Sequence, residues 1–516
     1  MKEPSNMPRR LAVASVIGLL LSTALAADEN PTGPGDPVSN VIGNSVVKIF
    51  ATLRSPDLAK PWSKQAPAEI SGSGVVIDGH RILTNAHLVT YASQVQIQAN
   101  QAGDKLSATV VAVAPGIDLA VLKLDDDGFF DTHAPLPRAD GLLQIKDAVL
   151  AYGYPTGGSS LSITKGIVSR VEFVSYNYPV SGLRIQVDAA INPGNSGGAA
   201  IADDKMIGLV FSRAGGDTQN IGYIIPNEEI SLFLQDIADG HYDGKPAMYD
   251  ELQTLQNSSL RNFLHLDKSV TGMVVHRPRT TEHSYPLKEW DVITRIGEWP
   301  IDDQGRVKVN PDLSVAFQYR VQQIVRNGSV PLTIVRGGST LQVQLPVDSV
   351  RPRLIPPLNG EYPSYFIYGP LVFSRASTQL LLAFSESGKV LLGLSFVGSP
   401  LISDLGATPD PQRDDLAVVA SPFFPSSLAK GYDNPAGLVV ESVNGTHVRS
   451  LKHLVELLRD LKDQFVVFAF ANRTGESIVF PRSEMLAATE SILADNGIRA
   501  QGSPDLMAVW QGKSAQ

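Results

Sequence analysis

One serine in this chain stands where acyl transfer could be carried out. Ser196 lies in Gly194-Asn195-Ser196-Gly197-Gly198, whose glycines allow a turn tight enough for a hydroxyl and neighbouring N–H groups to face one carbonyl. A serine hydroxyl is a weak nucleophile until a base takes its proton and an acid orients that base. Both residue types lie upstream: His87 in Leu83-Thr84-Asn85-Ala86-His87-Leu88-Val89, and Asp118 in Gly116-Ile117-Asp118-Leu119-Ala120-Val121-Leu122. The set predicts Ser196 as nucleophile, His87 as general base and then general acid, and Asp118 as the group that holds the imidazole tautomer. Backbone N–H groups of Gly194 and Ser196 would receive the oxyanion.

Chain order narrows the chemistry. His, Asp, Ser is the order of chymotrypsin-type β-barrel proteases and differs from that of subtilisins and α/β-hydrolases. Gly194-x-Ser196-x-Gly198 also fits a nucleophile elbow, which requires a helix after it and the acid and histidine later in the chain. Here Ala199–Ile201, a turn at 202–205 and Met206–Phe211 read as two short strands in a hairpin, so a lipase or esterase reading fails. His80 and His133 fall in a turn and a polar loop, and His241, His265, His276, His283, His447 and His453 lie beyond the strand-rich region. None forms a metal-ligand spacing such as H-E-x-x-H, and neither a metal nor a cofactor is expected.

The elements that must position the triad are β-strands. Between residues 41 and 226 short β-rich runs recur, among them Val46–Phe50, Gly74–Ile77, Val95–Gln98, Ala108–Val113, Val149–Gly153, Ser162–Ser169, Leu183–Val187 and Ile221–Ile225. Asp78-Gly79 is a hairpin turn that delivers His87 to the loop after the second strand of the pair. Two antiparallel barrels follow, with His87 and Asp118 from the first and Ser196 from the second, facing a cleft between them. A helix from Pro226 should close the region, its Ile230, Phe233, Leu234 and Ile237 forming one apolar stripe. Ala190, six residues before Ser196, and Ile191 beside it offer no charge to a substrate side chain, so an apolar P1 residue is expected.

The segments Ser71–Ile77, Thr84–His87, Asp118–Lys123 and Asp188–Gly198 resemble the HtrA/Deg family of serine proteases. The resemblance implies a mainly β fold: a chymotrypsin-like double β-barrel followed by two α+β PDZ-like domains. It places Asn195 in the oxyanion loop with Gly194 and Ser196, and makes Ile191, Leu209, Phe211, Ile221, Gly222 and Tyr223 the substrate-binding walls, suited to small aliphatic residues. It implies unfolded polypeptide substrates and a homotrimer or a multiple of trimers. Ala199 departs from the family, where proline usually follows Ser-Gly-Gly. The order protease, PDZ-like, PDZ-like, with Leu354-Ile355-Pro356-Pro357 and Tyr362-Pro363-Ser364-Tyr365 between the last two, resembles the branch best known from plants.

The 516 residues suit about three domains plus tails. The expected boundaries are a signal peptide at 1–26, a linker at 27–40, the trypsin-like serine protease domain at 41–240, PDZ-like domains at 245–350 and 355–490, and a C-terminal tail at 491–516. Lys2, Arg9 and Arg10 precede the apolar run Leu11–Leu25, and Ala24-Leu25-Ala26 is a cleavage site, so export to the periplasm is expected, without stable membrane insertion after cleavage. The alternative is an uncleaved signal anchoring the enzyme to the membrane, facing the periplasm. A formal charge of −9 with no long basic block argues against nucleic acid as the main partner. In the first PDZ-like domain Ser314–Arg326 reads as the groove helix, and Tyr249 stands where a glycine would let amides converge on a peptide carboxylate. In the second, Gly437–Gly445, Leu451–Leu461 and Phe465–Phe470 read as strand, helix and strand. The function expected is an exported serine endopeptidase that degrades unfolded or damaged proteins; the alternative is a chaperone or peptide-binding scaffold with weak proteolysis.

Overall fold

The computed structural model describes residues 37–512 except 157, 159, 177–179, 212–220, 386–387 and 472–475. The expected signal peptide with its cleavage site, most of the 27–40 linker and the last residues of the tail lie outside the described residues.

Strands β1 (Val46–Leu53), β2 (Ala68–Ile77), β3 (Arg81–Thr84), β4 (Ala92–Gln98), β5 (Leu106–Ala114) and β6 (Leu119–Leu124) close into a barrel in the order β1-β2-β3-β6-β5-β4. A second barrel closes from β7 (Ala148–Gly153), β8 (Ser162–Ser175), β9 (Ser181–Val187), β10 (Ala199–Ala202), β11 (Lys205–Phe211) and β12 (Gly222–Pro226), in the order β10-β11-β12-β9-β8-β7. Closure leaves no unpaired edge between the first and last strands, which is how such strands avoid aggregation.

Alternation explains how each barrel is filled. In the first, Val47, Ile49, Val76, Ile82, Ile97, Ala120 and Leu122 point inward as one buried cluster. Their neighbours Val46, Val75, Leu83, Leu119 and Val121 turn outward against Tyr152, Tyr154, Ile201 and Leu209 of the second barrel. Strand β6 is therefore buried on both faces, and its sequence Leu119-Ala-Val-Leu reads as an unbroken apolar run for that reason. The seam so formed sets the floor of the cleft. The helix Asn227–Asp236 covers it with Ile230 and Phe233, as the apolar stripe requires.

Beyond the barrels, strands Glu251–Thr254, Met273–Arg277, Val292–Ile296, Ser329–Arg336 and Ser339–Pro346 form the sheet of the first PDZ-like module. The expected helix Ser314–Arg326 is not continuous. Leu313–Ala316 pairs with Arg306–Asn310 as a two-stranded ribbon, Phe317–Arg320 is a 3-10 turn, and only Val321–Ile324 is α-helical. Leu313, Val315 and Tyr319 pack into the core of the second barrel, and that tertiary contact overrides the helical reading.

The last module has a three-stranded sheet, Tyr365–Tyr368, Leu371–Arg375 and Ala417–Val419, and a four-stranded one around Val440–Val443 and Phe465–Phe470. Helix Leu451–Asp460 buries Leu451, Leu454, Val455 and Leu458 as expected. The expected tail is corrected. Helix Arg482–Asp495 crosses the boundary drawn at 490, and helix Pro504–Trp510 buries Leu506 and Val509 in the same core. Trp510 lies 5.1 Å from the Phe366 ring, so apolar residues at helical spacing anchor this last helix on the module.

Candidate active site

His87 sits in a single 3-10 turn, Ala86–Leu88, that leaves β3 with Ala86 and Leu88 facing inward and the imidazole outward. Asp118 precedes β6 in the left-handed region, φ +57°, a conformation that a non-glycine residue holds only when its surroundings fix it. They do so at several points. The Asp118 carboxylate accepts the His87 backbone N–H at 2.9 Å, while its carbonyl accepts the Asn85 side-chain amide at 2.9 Å. The same carboxylate lies 2.8 Å from His87 Nδ1, which donates because a carboxylate can only accept. The Asp118 side chain is 13% exposed and that of His87 45%, so the acid is sheltered and the imidazole is open to solvent.

The Ser196 loop is held by backbone contacts that only glycine permits. Gly194 has φ +97° and Gly197 φ +83°. A Cβ on Gly197 would lie 2.0 Å from the Ser73 carbonyl oxygen, and one on Gly194 2.5 Å from the Tyr154 carbonyl oxygen. Asn195 donates its N–H to the Asn192 carbonyl at 3.0 Å, which closes the turn and directs that N–H into the loop. Gly197 N–H donates to Val210 at 2.8 Å and Val210 N–H to Gly198 at 2.8 Å, tying the loop to β11.

Ser73, on β2, was not singled out by sequence reasoning. It is fully buried, its N–H donates to the Ser196 carbonyl at 2.8 Å and its hydroxyl to the Gly194 carbonyl at 2.8 Å. The hydroxyl also accepts the Tyr154 N–H at 2.8 Å, and the Ser73 carbonyl accepts the Thr84 hydroxyl at 2.7 Å. One first-barrel residue therefore fixes the height of the serine loop from the second barrel. Its signal was a buried polar residue in an otherwise apolar strand half, Ser73-Gly-Val-Val-Ile77.

Of the expected pocket residues, the structure brings Ile191 against Gly222, where an added Cβ would approach Ile191 Cδ1 to 2.3 Å. The Phe211 and Tyr223 rings are 6.0 Å apart on paired strands. Leu209 has no exposed surface and lies in the seam, behind this wall; Ile221 is exposed. Sequence reasoning did not find Arg184. Its buried guanidinium lies 4.1 Å from the Tyr176 ring and 5.1 and 5.6 Å from those of Phe211 and Tyr223, a cation held behind the pocket by ring faces. The Tyr176 hydroxyl donates to the Leu183 carbonyl, and burial pushes its pKa well up, so this tyrosine stays neutral.

Behind the Asp118 loop lies a junction with the first PDZ-like module. Glu229, with no exposed surface, accepts the Leu183 N–H at 2.7 Å, the Lys245 ammonium at 2.5 Å and the Gln322 amide at 3.3 Å. Burial lowers the Lys245 pKa, with Glu229 acting in the opposite direction. A cavity of about 560 Å³ borders the junction, lined by Ile117, Phe233, Tyr242, Lys245 and Gln322. In the PDZ-like module itself, the Tyr249 hydroxyl donates to the Asp348 carbonyl at 3.2 Å. Asp250 accepts the Arg279 N–H at 2.9 Å and the Tyr285 hydroxyl at 3.0 Å, and burial raises its pKa. The loop expected to receive a peptide carboxylate thus already holds one of its own. No cluster of His, Cys, Asp and Glu suited to a metal ion occurs among the described residues.

Two family models agree with this architecture. Residues 72–209 match the model of a trypsin-like peptidase domain, and residues 357–505 that of a PDZ domain. Protease Do-like 2, a chloroplastic protein of Arabidopsis thaliana, is 34% identical over 472 residues, covering 90% of this chain and 75% of its own. The mitochondrial Protease Do-like 4 of the same plant is 32% identical, over 87% of this chain and 85% of its own. A solved structure of the HtrA-type protease AlgW with a tripeptide aligns with a TM-score of 0.46 at 26% identity, over 61% of this chain and 98% of that one.

Proposed function

This chain belongs to the HtrA/Deg family of serine proteases and is a serine endopeptidase; on that premise we propose that Ser196, His87 and Asp118 are its catalytic triad. The observation that carries the reading is the Asp118 carboxylate bound to both the backbone N–H and Nδ1 of His87. With Nδ1 committed as donor, Nε2 is the nitrogen free to accept the Ser196 proton as the hydroxyl attacks the scissile carbonyl. Asp118 then stabilises the imidazolium, which returns the proton to the leaving amine. Water repeats the sequence on the acyl-enzyme.

In this reading the oxyanion is received by the N–H groups of Gly194 and Ser196, while Asn195 shapes the loop by donating to Asn192. Ile191 lying on Gly222, with no acid nearby at Ala190, supports cleavage after small aliphatic residues. The natural substrates would be unfolded or damaged proteins, the enzyme a homotrimer or a multiple of trimers, and its location periplasmic after signal cleavage. The basic residues, apolar run and Ala24-Leu25-Ala26 at the start of the chain support that last point. No helix among the described residues is long and apolar enough to cross a membrane.

The test is digestion of an unfolded model protein such as reduced casein by the wild type and by Ser196→Ala. The variant should be slower by about three orders of magnitude or more. Digestion near the wild-type rate would overturn the assignment.

A further inference from the structure

The turn that carries His87 is gripped by a part of the chain that takes no part in the chemistry. Thr90 and Tyr91 lie three and four residues after His87, and the linker residues Gly360, Glu361 and Tyr362 lie against them. The Tyr91 hydroxyl donates to the Glu361 carbonyl at 3.0 Å. In the reverse sense the Tyr362 hydroxyl donates to the Arg54 carbonyl at 2.8 Å, and Arg54 N–H in turn donates to the Tyr91 carbonyl at 2.9 Å. The two tyrosine rings are 5.5 Å apart, and the Lys64 ammonium sits 4.4 Å over the Tyr362 ring. The barrel and the linker are thus cross-linked by two hydrogen bonds running in opposite directions beside a pair of rings tilted 54° to one another.

A second set of contacts holds this linker to the barrel. The β1–β2 loop folds back on itself, with Asp57 N–H donating to Ser63 at 3.2 Å and Gln65 N–H to Ser55 at 2.8 Å, and presents Leu58 and Trp62 to the last module. Trp62 lies 5.5 Å from the Phe424 ring and 6.3 Å from that of Tyr365, while Leu58 packs on the cluster that contains Leu354 and Ile355. The Leu354-Ile355 and Tyr362-to-Tyr365 motifs, conspicuous in the sequence and unused by the proteolytic mechanism, are the residues that meet the first barrel.

Tyr91 has φ +64°, a left-handed conformation for a bulky residue. Such a conformation is strained and persists only where the surroundings fix it. Within the barrel the turn is closed by Thr90 N–H and hydroxyl bonds to the Ala86 carbonyl, at 2.8 and 2.7 Å, and by Ala92 N–H to Val89 at 3.0 Å. Leu88 and Val89 anchor the turn in the barrel core and Asp118 holds His87 itself, while the linker contacts add a hold on the end of the turn that carries Tyr91.

We propose that the Gly360–Tyr362 linker, anchored by the last PDZ-like module, is a strap that positions the His87 turn, so that this module sets the turnover of the protease through Tyr91 and Tyr362. The proposal rests on His87 being the catalytic base. Tyr91 and Tyr362 are positioning residues: they act on the reacting atoms only through the turn. Releasing the strap would let the Tyr91 segment relax and shift the imidazole, and misplacement on the scale of an ångström slows catalysis without altering the substrate cleft.

The experiment uses the full chain and a short chromogenic peptide, too small to engage the PDZ-like modules, with Tyr91→Phe, Tyr362→Phe and the double variant. These remove only hydroxyl groups, and an unchanged thermal melt checks the fold. The double variant should lower kcat about tenfold with KM changed less than about twofold. It should also weaken the low-field proton resonance of His87 Nδ1–H, which reports the bond to Asp118. His87→Ala and Ser196→Ala serve as references. Inactive references with unchanged kcat and resonance in the double variant would overturn the strap alone, as would a loss carried entirely by KM. An active His87→Ala would overturn the triad reading and the strap with it.

Discussion

The two PDZ-like modules are joined to the protease by contacts of opposite chemistry. The first meets it through a fully buried carboxylate, Glu229, shared by Lys245 and Gln322; the second through rings and apolar side chains, with Trp62 and Leu58 reaching out from the barrel. A buried charge pair is brittle, because removing one partner strands the other in a medium that cannot solvate it. An apolar junction yields in proportion to the contact removed. The two also address different halves of the site. The charged junction borders Ile117, next to Asp118, and the apolar one grips the turn after His87.

The largest effect should come from halving the charged junction. Lys245→Met or Glu229→Ala alone should cost about 3–5 kcal/mol in urea unfolding, whereas Glu229→Met with Lys245→Met should recover most of that loss. A double variant that costs the sum of the two single variants would show that the pair is not coupled. At the apolar junction, Trp62→Ala should cost about 2 kcal/mol, less than for a fully buried tryptophan because the ring is only partly covered. Its mark should be local: faster proteolytic nicking between residues 350 and 364, with the barrels intact.

A smaller effect separates the junctions by pH. Burial, opposed by Glu229, holds the Lys245 pKa below its ordinary value of 10.5, so the folded chain releases that proton at a lower pH than the unfolded one. Between the two values the unfolded state binds more protons, and the stability contributed by Lys245 rises with pH through that window. Tyr242 and Tyr285 act in the opposite sense above pH 10, since burial raises both, but they do so in wild type and variant alike. The difference in stability between wild type and Lys245→Met should therefore widen as pH approaches 10.5. A flat difference would contradict the buried-ammonium account.

The smallest signal is expected from peptide capture by the first module. Asp250 occupies the loop with its own carboxylate and Tyr249 is bonded to Asp348, so an incoming C-terminal carboxylate finds repulsion in place of convergent donors. Titration of the full-length Ser196→Ala variant with apolar C-terminal peptides should show no binding in the micromolar range that amidation abolishes. Such binding, lost on Asp250→Arg, would refute it.

The sequence made the chemistry far more legible than the junctions. His87, Asp118 and Ser196 each sit in a short motif whose neighbours serve the same turn, so local reading and chain order were enough to propose them as a set, of which His87 and Asp118 are in contact. Strand alternation identified both barrels for the same reason, because each inward residue announces itself two positions on. Ser73, Arg184 and Glu229 escaped because a buried polar side chain is explained only by its partner, and Glu229 finds Gln322 93 residues away. Tyr362 bonds to Arg54 across 308 residues, a distance at which no periodicity survives. The expected groove helix at 314–326 failed where Val315 and Tyr319 had a better partner in the second barrel than in their own turn.

Activation of Ser196 by His87 can be read by covalent labelling. The chain is incubated with a fluorophosphonate, which captures only an activated serine, and the adduct is located by mass spectrometry. One phosphonylated residue, Ser196, is expected, with labelling lost in His87→Ala and Asp118→Asn slowed by orders of magnitude. An adduct on another serine, or labelling of Ser196 that survives His87→Ala at the wild-type rate, would contradict it.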